Sequence, residues 1–270
     1  MANLPAKVIT ARCIALLLFG VASEAAADVS TWLTKLSQAY GGEQRILNAK
    51  AFQQYGVTFS TMRGREGKMT RSYRHPDHLR IAIDYGKVGS ELRLLAGPHS
   101  WKQNQPVGDP FYSAMILQAT RLGLPAVLFE HKKHVKDGGD YKNKQGKTLH
   151  LLELRFHKHN HIAVGIEPAT GRIAESTSTL SMPALNMQFG TRYADYRKVN
   201  GRLFAFKETH SVMGRQTGYT HLQRIVIKPL PDKLFYPDNV TPDKGKNKTL
   251  AGLKAGANPG LFEILAEPVI

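Results

Sequence analysis

The chain has 270 residues, with 37 lysines and arginines against 21 aspartates and glutamates and a formal net charge of +16. The basic residues are scattered along the chain and no stripe of stacking aromatics accompanies them. That pattern reads first as a solubilising surface and argues against a nucleic-acid partner, with anionic membrane lipids as the alternative charged partner.

The N-terminus reads as an export signal. Lys7 and Arg12 form a basic start, Cys13 to Ala22 is an apolar run, and Ala25-Ala26-Ala27 before Asp28 fits a small-residue cleavage site. A membrane anchor needs about 20 apolar residues, roughly twice this run. Residues 1–27 are therefore expected to be cleaved, leaving a soluble periplasmic domain over 28–240 and a polar tail over 241–270. The only cysteine is Cys13, so the mature chain has no disulfide or thiol chemistry.

In chain order, Ser30 is a candidate N-cap, Trp32, Leu33, Leu36 and Tyr40 recur at helical spacing, and Gly41-Gly42 ends that helix. A second short helix is expected from Glu43 to about Ala49. From Ala51 the period becomes two. Tyr55, Val57 and Phe59 alternate with Gln54, Thr58 and Ser60, and Met69 to Arg74 returns after a glycine turn. The clearest strand is His78 to Tyr85, with Leu79, Ile81 and Ile83 on one face and Arg80 and Ala82 on the other. Glu91 to Ala96 and Ser100 to Asn104 extend the meander.

Asp109-Pro110 then opens an apolar helix over Phe111 to Leu122, and Gly123 and Pro125 separate a further turn ending at Phe129. Met115, Ile116 and Leu122 help make this insert apolar almost all round, so it must be covered on several sides. Lys132 to Gly146 reads as a basic loop. Strands follow over Leu149 to Phe156, Ile162 to Ile166, Arg172 to Leu180, Gln188 to Val199, Arg202 to Val212 and Gly218 to Lys228. Asn200-Gly201 is a strong hairpin signal within that series. The sum is an α+β domain of about ten or eleven antiparallel strands, a large curved sheet forming an unclosed barrel whose concave side the helices cover.

Chemistry-bearing motifs are sparse. His157, His159 and His161 alternate in a hairpin turn without a neighbouring acidic or thiol ligand, and His131 with His134 stands alone, so no metal site is expected. No nucleophile elbow, zinc helix, phosphate loop or dinucleotide fingerprint is present, so neither an enzyme nor a cofactor is expected. Glu153 and Asp195 read as outward strand residues. A hydrolase whose groups meet only in space remains an alternative, with His99, Glu208 and His210 as the residues to test.

The segments Tyr40 to Phe52 (YGGEQRILNAKAF), Tyr73 to Tyr85 (YRHPDHLRIAIDY), Glu91 to Gln103, Gly165 to Ser176 and Tyr193 to Glu208 (YADYRKVNGRLFAFKE), with the apolar helix between them, resemble the periplasmic outer-membrane lipoprotein carrier and lipoprotein-sorting superfamily. The resemblance spans about Ser30 to Asp238. It implies a hydrophobic cavity that holds lipid or lipoprotein acyl chains, in a carrier or in an envelope sensor that engages a membrane protein. The lining expected from the apolar positions is Tyr55, Val57, Phe59, Leu79, Ile81, Ile83, Met115, Ile116, Leu122, Phe189 and Tyr193. The resemblance also implies a basic residue before the proline of the second hairpin that latches the helical lid. Arg74-His75-Pro76 stands there, so the latch falls to Arg74 or His75.

Overall fold

The computed structural model describes residues 28–156, 160–182 and 186–242. The expected leader, the turn carrying His157 and His159, and the tail beyond 242 lie outside the described residues.

Helix α1 (Val29–Tyr40) buries Trp32, Leu33, Leu36 and Tyr40 along one stripe. Its N-cap is Asp28, two residues before the expected Ser30, whose hydroxyl instead donates to the Asp28 carboxylate at 3.0 Å. Gly41 ends the helix at φ +93°, where a Cβ would lie 2.2 Å from the carbonyl oxygen of Gly201. Both the left-handed backbone and the close approach require glycine. Helix α2 (Glu43–Asn48) follows and buries Ile46.

The first half of the sheet runs β1 (Ala51–Ser60), β2 (Arg65–Arg74), β3 (His78–Asp84), β4 (Ser90–Ala96), β5 (His99–Lys102) and β6 (Gln105–Pro106). Helices α3 (Phe111–Leu122) and α4 (Ala126–Glu130) come next. The second half runs β7 (Val135–Lys142), β8 (Thr148–Phe156), β9 (Asn160–Ile166), β10 (Ile173–Ser181), β11 (Asn186–Val199), β12 (Arg202–Val212) and β13 (Arg215–Ile227). All join one antiparallel sheet in the order β6-β5-β4-β3-β2-β1-β13-β12-β11-β10-β9-β8-β7.

This order explains where the helices lie. The two halves are meanders that meet at the central β1–β13 pair, so the chain leaves the sheet at one edge, β6, and re-enters at the other, β7. The segment joining those edges is α3–α4. Its apolar surface and the shortest route both carry it across the concave face of a curled, unclosed sheet.

The sheet has thirteen strands where ten or eleven were expected. The difference lies in the two-residue β6 and in β7, which the sequence disguises as a basic loop. β7 is an edge strand with exposed Lys136, Asp140 and Lys142, and its register slips between Asp137 and Gly139. Charge and a bulge are how sheet edges avoid further pairing, and both erase the alternation that marks a strand.

The phase of β1 is also opposite to expectation. Phe52, Gln54, Gly56, Thr58 and Ser60 face inward, while Tyr55, Val57 and Phe59 are half-buried on the outer face. There Phe59 stacks on Tyr219 at 5.2 Å and the Arg224 guanidinium sits 4.4 Å over the Tyr55 ring. Cross-strand aromatic pairs on the outside and hydrogen-bonded polar groups inside invert the usual code.

Candidate functional site

Two large apolar clusters fill the concave side. One gathers α1, α2 and α4 over the β7–β10 half, with Trp32, Leu36, Leu128, Leu152 and Val164. The other packs Phe111, Met115 and Ala119 of α3 on Leu79, Ile81 and Ile83 of β3 and Phe52 of β1. A smaller cluster joins Leu117 to Met187 and Phe189.

Between these clusters lies a buried polar layer. The Arg71 guanidinium donates to both carboxylate oxygens of Glu208, at 3.0 and 2.7 Å, and its Nε donates to Gln54 Oε1 at 2.6 Å. Arg71 is 1% exposed and Glu208 6%. Burial alone would raise the Glu208 carboxyl, but the charge and hydrogen bonds of Arg71 outweigh it and hold the group below the usual carboxylate range. His210 Nε2 lies 3.0 Å from Thr220 Oγ1, Thr220 donates to Thr58, and Thr58 donates to the Tyr219 carbonyl at 3.0 Å. Burial, aided by the nearby arginines and opposed by Glu208, pushes the His210 imidazole down to about 4, so it is neutral at pH 7.

From above, α3 adds Gln118 and Arg121, both buried and one helical turn apart. Arg121 donates to Ser178 Oγ at 3.1 Å. Burial pushes its guanidinium down to about 10, which leaves it charged at neutral pH.

A pocket opens between this layer and the end of α3. Tyr40, Phe52, Leu122, Leu124, Leu203 and Phe204 make its apolar part, and Gln54, Arg71, Gln118, Arg121, Glu208 and His210 its polar floor. The space open to the centres of water-sized molecules is about 60 Å3. That is room for a few waters at about 10–15 Å3 each.

Of the lining expected from sequence, Leu122 and Tyr193 border this pocket. Leu79, Ile81, Ile83, Met115 and Phe189 are buried in the solid clusters, and Ile116 packs against one of them. Tyr55, Val57 and Phe59 are on the other face of the sheet and line nothing here. His99 tilts against Trp101 on β5 and does not border the pocket with Glu208 and His210. Asp195 pairs with Arg197 at 2.6 Å, as an outward strand residue can. Among the described residues no group of three or more His, Cys, Asp or Glu side chains could hold a metal ion.

Their contacts separate the two residues expected from the resemblance, Arg74 and His75. His75 Nε2 lies 2.5 Å from the Glu130 carboxylate at the end of α4, and Nδ1 lies 2.9 Å from the Tyr73 hydroxyl. Burial lowers the His75 imidazole against the opposing pull of Glu130. Arg74 instead binds Asp232 at 2.6 Å and the Leu230 carbonyl, tying the end of β2 to the 3-10 turn Asp232–Phe235. The reason is strand alternation: adjacent side chains leave opposite faces, and only His75 faces the helices. Sequence reading missed Arg202, which donates to the carbonyls of Ala49 at 2.9 Å and Leu124 at 3.2 Å and so joins the end of α2 to the α3–α4 junction.

No family model matches the chain, and no curated protein matches it at a significant level. Solved structures do. A LolA superfamily protein from Nitrosomonas europaea aligns over 80% of this chain and 100% of its own, with a TM-score of 0.52 at 12% identity. A domain named for outer membrane lipoprotein sorting, from Vibrio parahaemolyticus, aligns over 77% of this chain and 97% of its own, with a TM-score of 0.48 at 9% identity. A DUF1329 family protein from Desulfovibrio piger covers 77% and 96%, with a TM-score of 0.49 at 10% identity. The strand order, the helices laid across the concave face and the full-length match to the Nitrosomonas protein give this chain a LolA-type fold.

Proposed function

We propose that the protein is an exported, non-enzymatic binder of lipid or lipoprotein acyl chains that acts as a carrier in the periplasm. The observation that carries this reading is the pocket beneath the end of α3, where the segment joining the two edges of a LolA-type sheet lies over apolar side chains. Concave, largely apolar sites with a few placed polar groups are the usual form of a small-molecule site. At about 60 Å3 the pocket is closed to a long chain, so binding moves α3–α4 outward. The export motif read over residues 1–27 supports an envelope location for this activity.

Mass spectrometry of organic extracts from the purified protein should recover a co-purifying lipid. Added acyl lipid should alter amide exchange across Phe111 to Phe129. If no lipid is recovered and that segment exchanges as slowly as β3 with or without lipid, the cover is permanent core and the reading fails.

His75 and Arg202 are the proposed latch. Glu130→Gln weakens one charge-assisted hydrogen bond, so exchange over Ala126 to Glu130 should quicken by about fivefold and global stability should fall by the matching amount, about 1 kcal/mol. Arg74→Leu should leave the exchange of that helix unchanged, because Arg74 holds the Asp232 turn instead.

A further inference from the structure

The polar floor of the pocket is unevenly satisfied, and the imbalance has a chemical sense. Arg71 and Glu208 satisfy each other. Gln118, 1% exposed, makes no side-chain hydrogen bond through either Nε2 or Oε1, so exchanging the two ends of its amide changes nothing. His210, 2% exposed, leaves Nδ1 without a partner. The hydroxyl relay fixes which kind of atom Nδ1 is. The Thr58 proton is committed to the Tyr219 carbonyl and the Thr220 proton to Thr58, so Nε2 of the neutral imidazole must donate to Thr220. Nδ1 is then a bare acceptor.

The open positions at the floor are thus one amide donor, Gln118 Nε2, and two acceptors, Gln118 Oε1 and His210 Nδ1. We propose, resting on the acyl-binding reading, that this pocket selects amphiphiles whose head carries hydroxyl groups, with the hydroxyls seated at Gln118 and His210 and the chain leaving past Leu122, Leu124 and Leu203. A hydroxyl both donates to the two acceptors and accepts from the amide. A carboxylate accepts only and leaves Gln118 Oε1 and His210 Nδ1 without donors, and an alkyl ester supplies no donor either. Leaving buried polar groups unpaired is what makes such sites discriminate.

The test is competition binding of three ligands with the same acyl chain: a monoacylglycerol, the free fatty acid and the fatty-acid methyl ester. The wild-type protein should bind the monoacylglycerol about tenfold or more tightly than the methyl ester, with the fatty acid weaker than the monoacylglycerol. Gln118→Leu removes the amide and keeps its volume. It should lose most of the preference for the monoacylglycerol over the methyl ester, and have a higher Tm because a buried unpaired amide is gone. His210→Phe, the second variant, should narrow the same gap. Equal binding of all three ligands by the wild type, an unchanged preference in Gln118→Leu, or tightest binding of the fatty acid would overturn the hydroxyl assignment. The first two outcomes mean that the floor is met by water only, and the third that it reads charge. If none of the three ligands binds, the acyl-binding reading itself fails, a result distinct from the others.

Discussion

Arg71→Met should destabilise the protein by about 3–5 kcal/mol, the range for removing one partner of a buried ion pair. The substitution leaves Glu208 enclosed beneath α3 without its bidentate partner, and Arg121 is the cation left nearby. The double variant Arg71→Met with Glu208→Leu should recover much of the loss, since an apolar pair of similar volume is often neutral or better. Urea unfolding of the two variants and the wild type measures this. A single variant within about 1 kcal/mol of wild type would show that the pair contributes little.

The pH dependence gives the same argument a sign. In the wild type the folded Glu208 carboxyl titrates below its unfolded value of 4.5, so its contribution is complete above that value and is lost as pH falls through the folded pKa. In Arg71→Met, burial without the arginine raises the folded pKa. The penalty is then greatest at neutral pH and relaxes as the carboxyl takes up a proton, so the gap between variant and wild type should narrow on acidification.

This polar layer is also where sequence reading and structure part. The architecture was legible because it rests on strong local signals. His78 to Tyr85 alternates cleanly, Asn200-Gly201 can only be a tight turn, and the Gly123 and Pro125 break does fall between two helices. The expected helix over Phe111 to Leu122 has the bounds of α3, with Pro110 at its N-cap. The helix begins at Phe111, while the Asp109 carboxylate accepts from the Ser113 amide at 3.2 Å.

The inner face was not legible, because periodicity gives the two faces of a strand and the usual assumption assigns the apolar one to the core. In β1 that assumption fails: Gln54 and Thr58 are inside because Arg71 and Thr220 meet them there. Arg71 pairs with a residue 137 positions away, and no local pattern records such a partner. The same reason hid Gln118, which sits among apolar neighbours on a helix that reads as plain core. The strand-borne part of the floor comes from β1, β2 and β12, which the central β1–β13 pairing brings together.

The sharpest check on which face is which comes from charges placed along β3 and β1. Leu79 is fully buried, and its cross-strand neighbours are Tyr73 on β2 and Leu95 on β4. The register sets no cation opposite an aspartate there, so Leu79→Asp should cost about 4 kcal/mol or more and be among the most damaging single changes in the molecule. Ile81 is as deeply buried, but its neighbours are Arg71 and Arg93. Ile81→Asp therefore lands beside two arginines, themselves paired with Glu208 and Glu91, and should be less harmful than Leu79→Asp, whereas Ile81→Lys adds a cation beside them and should be as harmful or worse. Val57 faces outward between Lys68 and His221. Val57→Asp should cost only about 1 kcal/mol, the scale of strand propensity at a half-buried outer position. Denaturant midpoints of the four variants order these effects. A severe loss at Val57 would return that residue to the interior, and equal losses for Leu79→Asp and Ile81→Asp would show that the arginines of the polar layer do not reach the position between them.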